Sequence, residues 1–406
     1  MRTLIGDALI FDGTGSALQC GSILVDGNRI AKVALGAGAL ADETADTTID
    51  AEGRTLMPGL VEAHAHLTWA SSVEKIYHQF ILPPEELKVA AWRNARVLLD
   101  HGFTSAYSAG ALVDGIEAEL AHAIEAGETP GPRLVPSTLE RSPEGAEGVD
   151  TGDVFNGRGP EAMRKFVAYC KEQRLGSIKL VVSGEDALKP GSAKDVLYTD
   201  EEMEAAGAAA KDADLWIATH AYYPEAIRLA LKAGARIIYH ASYADAEAAD
   251  AMVAAKDTTF YAPSPGVSVA ALEANPPPHV DMSHMKASAA ERMALESKLV
   301  PQLKARGVRI LIGGDYGFPF NPNGRNARDL EIFVDHFGYT PAEAMVAATK
   351  LGGELMDLPV GEVKEGYLAD LLLVDGDPTQ DVAILQDKNR LAMIMKDGAI
   401  YKGLAV

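Results

Sequence analysis

The feature that most constrains the fold is a regular alternation of short apolar segments with alanine-rich amphipathic segments between Pro58 and about Leu355. This pattern is typical of βα units, in which helices connect the strands of a parallel sheet. Eight strands are predicted, at residues 60–64, 103–108, 133–136, 177–182, 215–220, 236–240, 259–262 and 309–314. Eight such units predict a (β/α)8 TIM barrel, whose functional side chains lie at the carboxyl ends of the strands. The alternative is a doubly wound open sheet, but no glycine-rich phosphate loop follows the first strand.

The two ends of the chain have a different pattern. Residues 1–57 contain short strands separated by turn signals, and residues 361–406 return to strands and turns after a predicted helix at 342–355. We therefore predict a small discontinuous β-sandwich domain formed by residues 1–57 and 361–406, with the barrel domain, 58–360, between them. Two connections, 139–160 and 263–286, are longer than βα loops need to be. Both would overhang the barrel mouth as lids or specificity walls.

Composition limits the classes of partner and the compartment. The formal net charge of -21 argues against nucleic acid and anionic membranes, both of which require a basic surface. The two cysteines, Cys20 and Cys170, are too few for a disulfide framework or a thiolate metal cluster. No run of about 18 apolar residues is present, and Asp7 and Asp12 interrupt the N-terminal segment too early for a secretory signal. These features predict a cytoplasmic protein.

Six residues that suit a metal site fall on or just after predicted barrel strands. They are His64 and His66 on the first strand, Lys179 within the fourth, His220 and His240 on the fifth and sixth, and Asp315 after the eighth. Side chains two residues apart on a strand share a face, so the first two imidazoles project together. Imidazole and carboxylate bind divalent ions such as Zn²⁺, Mn²⁺, Co²⁺ or Ni²⁺. Each residue alone has a structural explanation, but their shared position favours a metal site.

The chain resembles the amidohydrolase superfamily over essentially its whole length. Residues 58–66, Pro-Gly-Leu-Val-Glu-Ala-His-Ala-His, are similar to the first-strand motif of that family, with Glu62 where an aspartate is commoner. Residues 340–349 and 361–375 resemble the helix and returning strands that close its β-sandwich. Within the superfamily the chain looks most like the prolidase-type and imidazolonepropionase-like group, which includes ochratoxin-hydrolysing relatives.

This resemblance implies a binuclear metal centre. In that family a lysine on the fourth strand is carboxylated by CO2 and bridges two metals, which would also neutralise an ammonium that is unfavourable in a buried strand. Zn²⁺ is the expected metal, with Mn²⁺, Co²⁺ or Ni²⁺ as alternatives. Carried over to this chain, one ion would be held by His64, His66 and Asp315, the other by His220 and His240, and both by Lys179.

The expected reaction is hydrolysis of an amide-type C–N bond in an acyl-amino acid, dipeptide, aryl amide, urea or carbamate. A hydroxide bridging the metals would attack the carbonyl, and Asp315 would act as general acid and base, with Lys179 as the second catalytic residue. Hydrolysis of a lactone or phosphoester at the same site is the alternative. A ring deaminase fits less well, because a bridging lysine is not part of its pattern. A non-catalytic metal-binding assembly protein is the alternative from another class, and analogy with related barrels predicts a homo-oligomer.

The candidates for substrate contact are Tyr222, Arg325, Trp69, Tyr107 and His284. Tyr222, two residues after His220, could hydrogen-bond a carbonyl or carboxylate, and Arg325 or Arg328 could pair with a carboxylate. Trp69 and Tyr107 would line an apolar pocket, and His284 is a candidate lid residue. Barrel packing or a solvated loop would also explain them. The chain departs from many relatives after the second strand, at 106–109, and after the third, at 137–142, so no relative's substrate is assumed.

Overall fold

The computed structural model describes residues 1–71, 82–143, 156–186 and 189–403. Strands dominate both ends of the chain, and strands alternate with helices between them. The N-terminal strands are β1 (Arg2–Ile10), β2 (Gln19–Asp26), β3 (Arg29–Leu35), β4 (Thr47–Asp50) and β5 (Thr55–Pro58). The central strands are β6 (Leu60–Ala65), β7 (Phe103–Ser108), β8 (Arg133–Val135), β9 (Ser177–Val181), β10 (Trp216–Ala221), β11 (Ile237–His240), β12 (Phe260–Ala262) and β13 (Arg309–Ile310). The last strands are β14 (Leu371–Val374), β15 (Leu391–Lys396) and β16 (Ala399–Lys402).

The helices follow the central strands and continue beyond the last of them. They span Pro84–Asp100, Ile116–Glu125, Pro160–Glu172, Asp200–Ala213, Pro224–Lys232, Ala246–Ala254, Pro265–Glu273, Ser283–Ala305, Arg328–Phe337, Pro341–Ala348 and Lys350–Met356. Short 3₁₀ turns lie at Ser192–Lys194, Val382–Gln386 and Lys388–Arg390. In the described ranges, no helix combines the length and the apolar content needed to span a bilayer.

The eight central strands pair in parallel and in chain order. β6 to β8 form one ladder and β9 to β13 form another. Single parallel bridges, Arg141 with Leu180 and Ala65 with Tyr316, join the two ladders at both sides. Because all the strands run in the same direction, their carboxyl ends meet at one end of the assembly, as the alternation predicts.

Both faces of the central strands are buried. In β11, Ile237 and Tyr239 pack in one apolar cluster, and Ile238 packs in a second cluster shared with the surrounding helices. A strand covered on both faces reads as a continuous apolar run, which is why these strands are recognisable in the sequence. The parallel strands therefore form a rigid support for side chains at their carboxyl ends.

Strands from both chain ends form one hydrogen-bonded sheet in the order β16-β15-β14-β5-β1-β2-β3, with β4 beside β1. Its central pair joins the two ends of the chain, because β14 runs antiparallel to β5. The sheet covers an apolar cluster that includes Ile5, Ile23, Leu371 and Met393. Both ends of the chain therefore contribute strands to one sheet.

The long connection at 263–286 contains regular structure that the sequence pattern did not predict. A helix begins at Pro265, a residue well suited to the first helical turn, and the following helix begins at Ser283. The helix predicted at 342–355 is two helices that meet at Thr349, whose hydroxyl donates to the carbonyl of Met345. Of the other long connection, residues 144–155 lie outside the described residues.

Candidate metal and active site

His64 and His66 lie near the end of β6, and both are buried. The Nδ1 atom of His64 is 2.7 Å from the hydroxyl of Ser264, and that of His66 is 3.0 Å from the carbonyl oxygen of Gly110. Glu62 accepts a hydrogen bond from the backbone N–H of His64 at 2.9 Å, which fixes the end of the strand. Because both rings use Nδ1 in these contacts, the Nε2 atoms remain available as ligands.

Asp315 joins these two histidines in a group of three potential ligands. Its Oδ1 lies 3.1 Å from Nε2 of His66 and 3.5 Å from Nε2 of His64, and one ligand atom from each residue lies within 4.8 Å of the others. Asp315 has a left-handed backbone, with φ of 60°, which is uncommon outside glycine and concentrates at functional sites. Gly313 permits the close approach, since a Cβ there would lie 2.8 Å from that of His64.

His220 and His240 lie near the carboxyl ends of β10 and β11 and complete the cluster of imidazoles. Their ring centroids are 4.5 Å apart, and the His240 ring is 5.4 Å from that of His64. His240 also has a left-handed backbone, with φ of 73°. The structure thus brings five of the six predicted ligands into one buried group.

Lys179 is the third residue of β9, and its side chain is buried. Its Nζ donates a hydrogen bond to the carbonyl of Ala109 at 2.7 Å and lies 4.7 Å from the centroid of the Tyr239 ring. The same ring stacks on His64 at 3.8 Å. The sixth predicted ligand and His64 therefore contact the same aromatic ring.

Burial and the charge of Lys179 together lower the pKa of His64 and of His240, and lower that of His220 to about 4. These three imidazoles are therefore neutral at physiological pH, which is the form that binds metal. Burial also opposes protonation of His66, but the adjacent carboxylate of Asp315, together with Glu140, raises its pKa. Metal binding at His66 would consequently release a proton.

The donor set fits a metal ion. Nε2 of His64, Nε2 of His220 and Oδ1 of Asp315 are buried and have no hydrogen-bond partner among the described residues. Buried polar atoms without partners are rare, because each forfeits its interaction with water. Imidazole and carboxylate ligands, oriented by hydrogen bonds at their other atoms, are characteristic of sites for Zn²⁺ and similar ions.

The sequence analysis missed two carboxylates in this region. Glu140 lies 3.6 Å from Nδ1 of His66 and 3.9 Å from Nζ of Lys179, and Glu185 lies 3.8 Å from Nε2 of His220. Glu140 follows β8 and Glu185 follows β9 by a few residues. The strand-end position that identified the histidines would therefore have identified both.

Two predicted substrate contacts lie beside the cluster. The ring of Tyr222 stacks on His240 at 4.6 Å, and its hydroxyl donates to Glu185 at 3.1 Å. The Trp69 ring is 5.0 Å from that of His66 and 4.3 Å from that of Phe318, so two aromatic residues form a wall on the His66 side.

The other predicted substrate contacts point elsewhere. The hydroxyl of Tyr107 donates to Ser177 at 2.8 Å, at the amino end of β9. Arg325 is exposed, and its Nη1 donates to the carbonyl of Phe320 at 3.1 Å. His284 is exposed in the first turn of the helix Ser283–Ala305.

Comparison with known proteins shows the family of this chain. The model of the amidohydrolase family matches residues 55–401. The chain belongs to the amidohydrolase family and is an enzyme, a hydrolase that acts on C–N bonds of small molecules.

Individual relatives show which members of the amidohydrolase family the chain resembles. The chain is 25% identical to ochratoxinase of Aspergillus niger, over 99% of this chain and 87% of that protein. It is also 25% identical to imidazolonepropionase of Rubrobacter xylanophilus, over 93% of this chain and 90% of that protein. A solved Xaa-Pro dipeptidase with bound methionine in the active site superposes with a TM-score of 0.85 at 26% identity, over 99% of this chain and 100% of that chain. The predicted resemblance to the prolidase-type and imidazolonepropionase-like group is confirmed.

Proposed function

We propose that this chain is a metal-dependent hydrolase that cleaves an amide-type C–N bond at the carboxyl ends of the central strands. The observation that carries the proposal is the buried convergence of four imidazoles and one carboxylate, three of whose ligand atoms have no hydrogen-bond partner among the described residues. Two of the named relatives, an ochratoxinase and a Xaa-Pro dipeptidase, support an amide-type bond as the target.

The architecture that we propose is a closed (β/α)8 barrel at residues 58–360 with a β-sandwich domain formed by residues 1–57 and 361–406. The parallel bridges at both sides of the two central ladders support closure. The antiparallel pairing of β14 with β5 supports a second domain built from both chain ends. By analogy with related barrels we also propose a homo-oligomer, which light scattering of the purified protein tests.

The residues present could hold two divalent ions, with Zn²⁺ as the proposed metal and Mn²⁺, Co²⁺ or Ni²⁺ as alternatives. Bound ions would activate a water molecule as nucleophile and withdraw charge from the scissile carbonyl. One ion would be held by His64, His66 and Asp315, the other by His220 and His240, and both by a CO2-derived carbamate on Lys179.

The chain itself supplies proton transfer, positioning and exclusion of water. Oδ1 of Asp315 accepts the proton of the nucleophile and returns it to the leaving nitrogen. Trp69 and Phe318 cover the His66 side, and Tyr222 covers the His240 side. With little water to screen it, a charge at Asp315 acts strongly on the reacting atoms.

The experiment that tests this proposal is metal content per chain, by elemental analysis of protein prepared with bicarbonate, for the wild type and for Lys179→Ala. About two equivalents that fall sharply in the variant are expected, because a bridging ligand serves both ions. Lys232→Ala is the matched control, since Lys232 is exposed and pairs with Asp200.

One equivalent that is unchanged in Lys179→Ala would contradict the bridging role, and wild-type protein that never binds metal would overturn the proposal. Turnover is then measured on acyl-amino acids, dipeptides, aryl amides, ureas and carbamates. Bound metal without any turnover would favour a metal-binding assembly protein.

A further inference from the structure

Arg292 is a buried cation at the edge of the metal-ligand cluster. It lies on the helix Ser283–Ala305 and is only 6% exposed. Its Nη1 donates to the hydroxyl of Ser288 at 3.0 Å and its Nε to that of Ser268 at 3.3 Å. Among the described residues, these two hydroxyls are its hydrogen-bond acceptors and no carboxylate lies within 4 Å of it. Two neutral hydroxyls therefore hold the guanidinium, with no carboxylate of the described residues at ion-pair distance. Burial alone would lower the pKa of Arg292, but Tyr222, Glu185 and Glu296 lie near enough to raise it.

A buried guanidinium in this state is unusual. Arginine stays protonated in proteins, and a buried charge is normally paired with an opposite charge. The planar fork of its N–H groups matches a carboxylate, which accepts two hydrogen bonds from it. The geometry therefore suits a ligand carboxylate as the missing partner.

Two acidic side chains near Arg292 are engaged elsewhere. Glu296, one turn further along the helix, accepts a hydrogen bond from Ser242 at 2.5 Å, and burial raises its pKa to about 8. It is therefore mostly uncharged at neutral pH. The carboxylate of Glu185 accepts the hydroxyl of Tyr222 and faces His220.

Arg292 lies close to the imidazoles at which the scissile bond would be bound. Its guanidinium carbon lies 5.6 Å from the centroid of the Tyr222 ring, and that ring stacks on His240 at 4.6 Å. The aromatic pair Trp69 and Phe318 lies on the other side of the imidazoles, beside His66. A substrate across the imidazoles would place one end against this wall and the other end at Arg292.

We propose that Arg292 binds a carboxylate of the substrate on the Tyr222 side of the scissile C–N bond. This inference rests on the proposed function and narrows its substrates to acylated amino acids and dipeptides, in which a carboxylate lies next to the amide. It also assigns carboxylate recognition to a residue other than the arginines of the eighth loop, because Arg325 is exposed and Arg328 pairs with Glu273.

Binding of a matched pair of probes tests this role. The probes are benzoylglycine and benzoylglycinamide, which differ only in the terminal group, a carboxylate in the first and an uncharged carboxamide in the second. Isothermal titration of the metal-loaded wild type is expected to show about ten- to a hundredfold tighter binding of the carboxylate, the range of charge-assisted hydrogen bonds. Arg292→Met should remove this preference and leave the affinity for the carboxamide unchanged. Arg306→Met, an exposed arginine just beyond the same helix, should behave as the wild type.

Equal affinity of the wild type for both probes would overturn the proposal, and so would an equal loss of both affinities in Arg292→Met, which indicates a structural role. If the methionine variant does not fold, Arg292→Gln keeps polar contacts to Ser288 without the charge, and a preference retained there would also refute the role. Turnover of benzoylglycine is measured in parallel. A carboxylate preference without turnover of any amide would reject the proposed function but support Arg292 as a carboxylate-binding residue. Turnover without the preference would support the proposed function and reject the role of Arg292.

Discussion

Replacing Asp315 with asparagine tests the role of Asp315 in proton transfer while the shape of the site is retained. Oδ1 of Asp315 lies 3.1 Å from His66 and 3.5 Å from His64, and the residue has φ of 60°. Asparagine is one of the few residues other than glycine that tolerate this left-handed conformation, so the backbone and the side-chain volume are retained. The substitution removes the negative charge and the capacity to accept a proton.

The magnitude follows from the burial of the group. The side chain of Asp315 is only 8% exposed, so bulk water cannot replace it as the base. General acid–base transfer contributes about 10²- to 10⁴-fold to rate. We therefore expect kcat of Asp315→Asn to fall by about that factor, which is about 2.7–5.4 kcal/mol in activation free energy. The amide oxygen and the two neighbouring histidines remain, so the metal content should stay close to that of the wild type.

The assay is steady-state hydrolysis of an acyl-amino acid, with metal content measured on the same preparations. Asp357→Asn is the matched control, because Asp357 is exposed and also left-handed, with φ of 51°, just beyond the helix Lys350–Met356. It should retain wild-type kcat. A metal-replete Asp315→Asn with kcat within about threefold of the wild type would refute the proton-transfer role. Loss of metal together with activity would instead make metal retention the essential contribution of Asp315.

Two further predictions concern stability. Burial raises the pKa of Glu296 from 4.5 to about 8, so the folded protein keeps a proton that the unfolded chain releases, and stability falls as pH rises through this window. Glu296→Gln should therefore raise the melting temperature at pH 9 and change it little at pH 5; equal shifts would contradict this explanation. Asp370 is 2% exposed and pairs with Arg133, so Asp370→Ala should lower the free energy of unfolding in urea by roughly 2–3 kcal/mol. Asp397→Ala, which removes an exposed partner of the same arginine, should lower it by less than about 1 kcal/mol.

The central strands could be predicted because burial on both faces leaves a clear apolar signal. β7 has the predicted bounds, and β6 differs by one residue. The last strand was predicted at 309–314, but β13 ends at Ile310. Beyond it Gly313 packs against His64, a contact between distant parts of the chain that a local apolar run does not reveal. Tertiary packing therefore decided where the strand ended.

Some side chains of the site could be predicted from the sequence and others could not. His64, His66 and Asp315 were identifiable because strand order and side-chain alternation determine where such residues point. Arg292 was not, because a charged residue in an amphipathic helix usually marks its solvated face. The helix Pro265–Glu273, within a connection predicted to be a long loop, packs beside it and supplies Ser268.

Charge balance links the proposed carbamate to the proposed metals. Oε2 of Glu140 is 3.9 Å from Nζ of Lys179, an arrangement that stabilises an ammonium. A carbamate on the same nitrogen would place a second negative charge beside Glu140 in a buried region, where repulsion is poorly screened. Two divalent ions would outweigh that repulsion, so the carbamate should form together with metal binding and be lost with the metal. The lysine and the ions are therefore expected to behave as one coupled unit, and the metal content of Lys179→Ala reports on both.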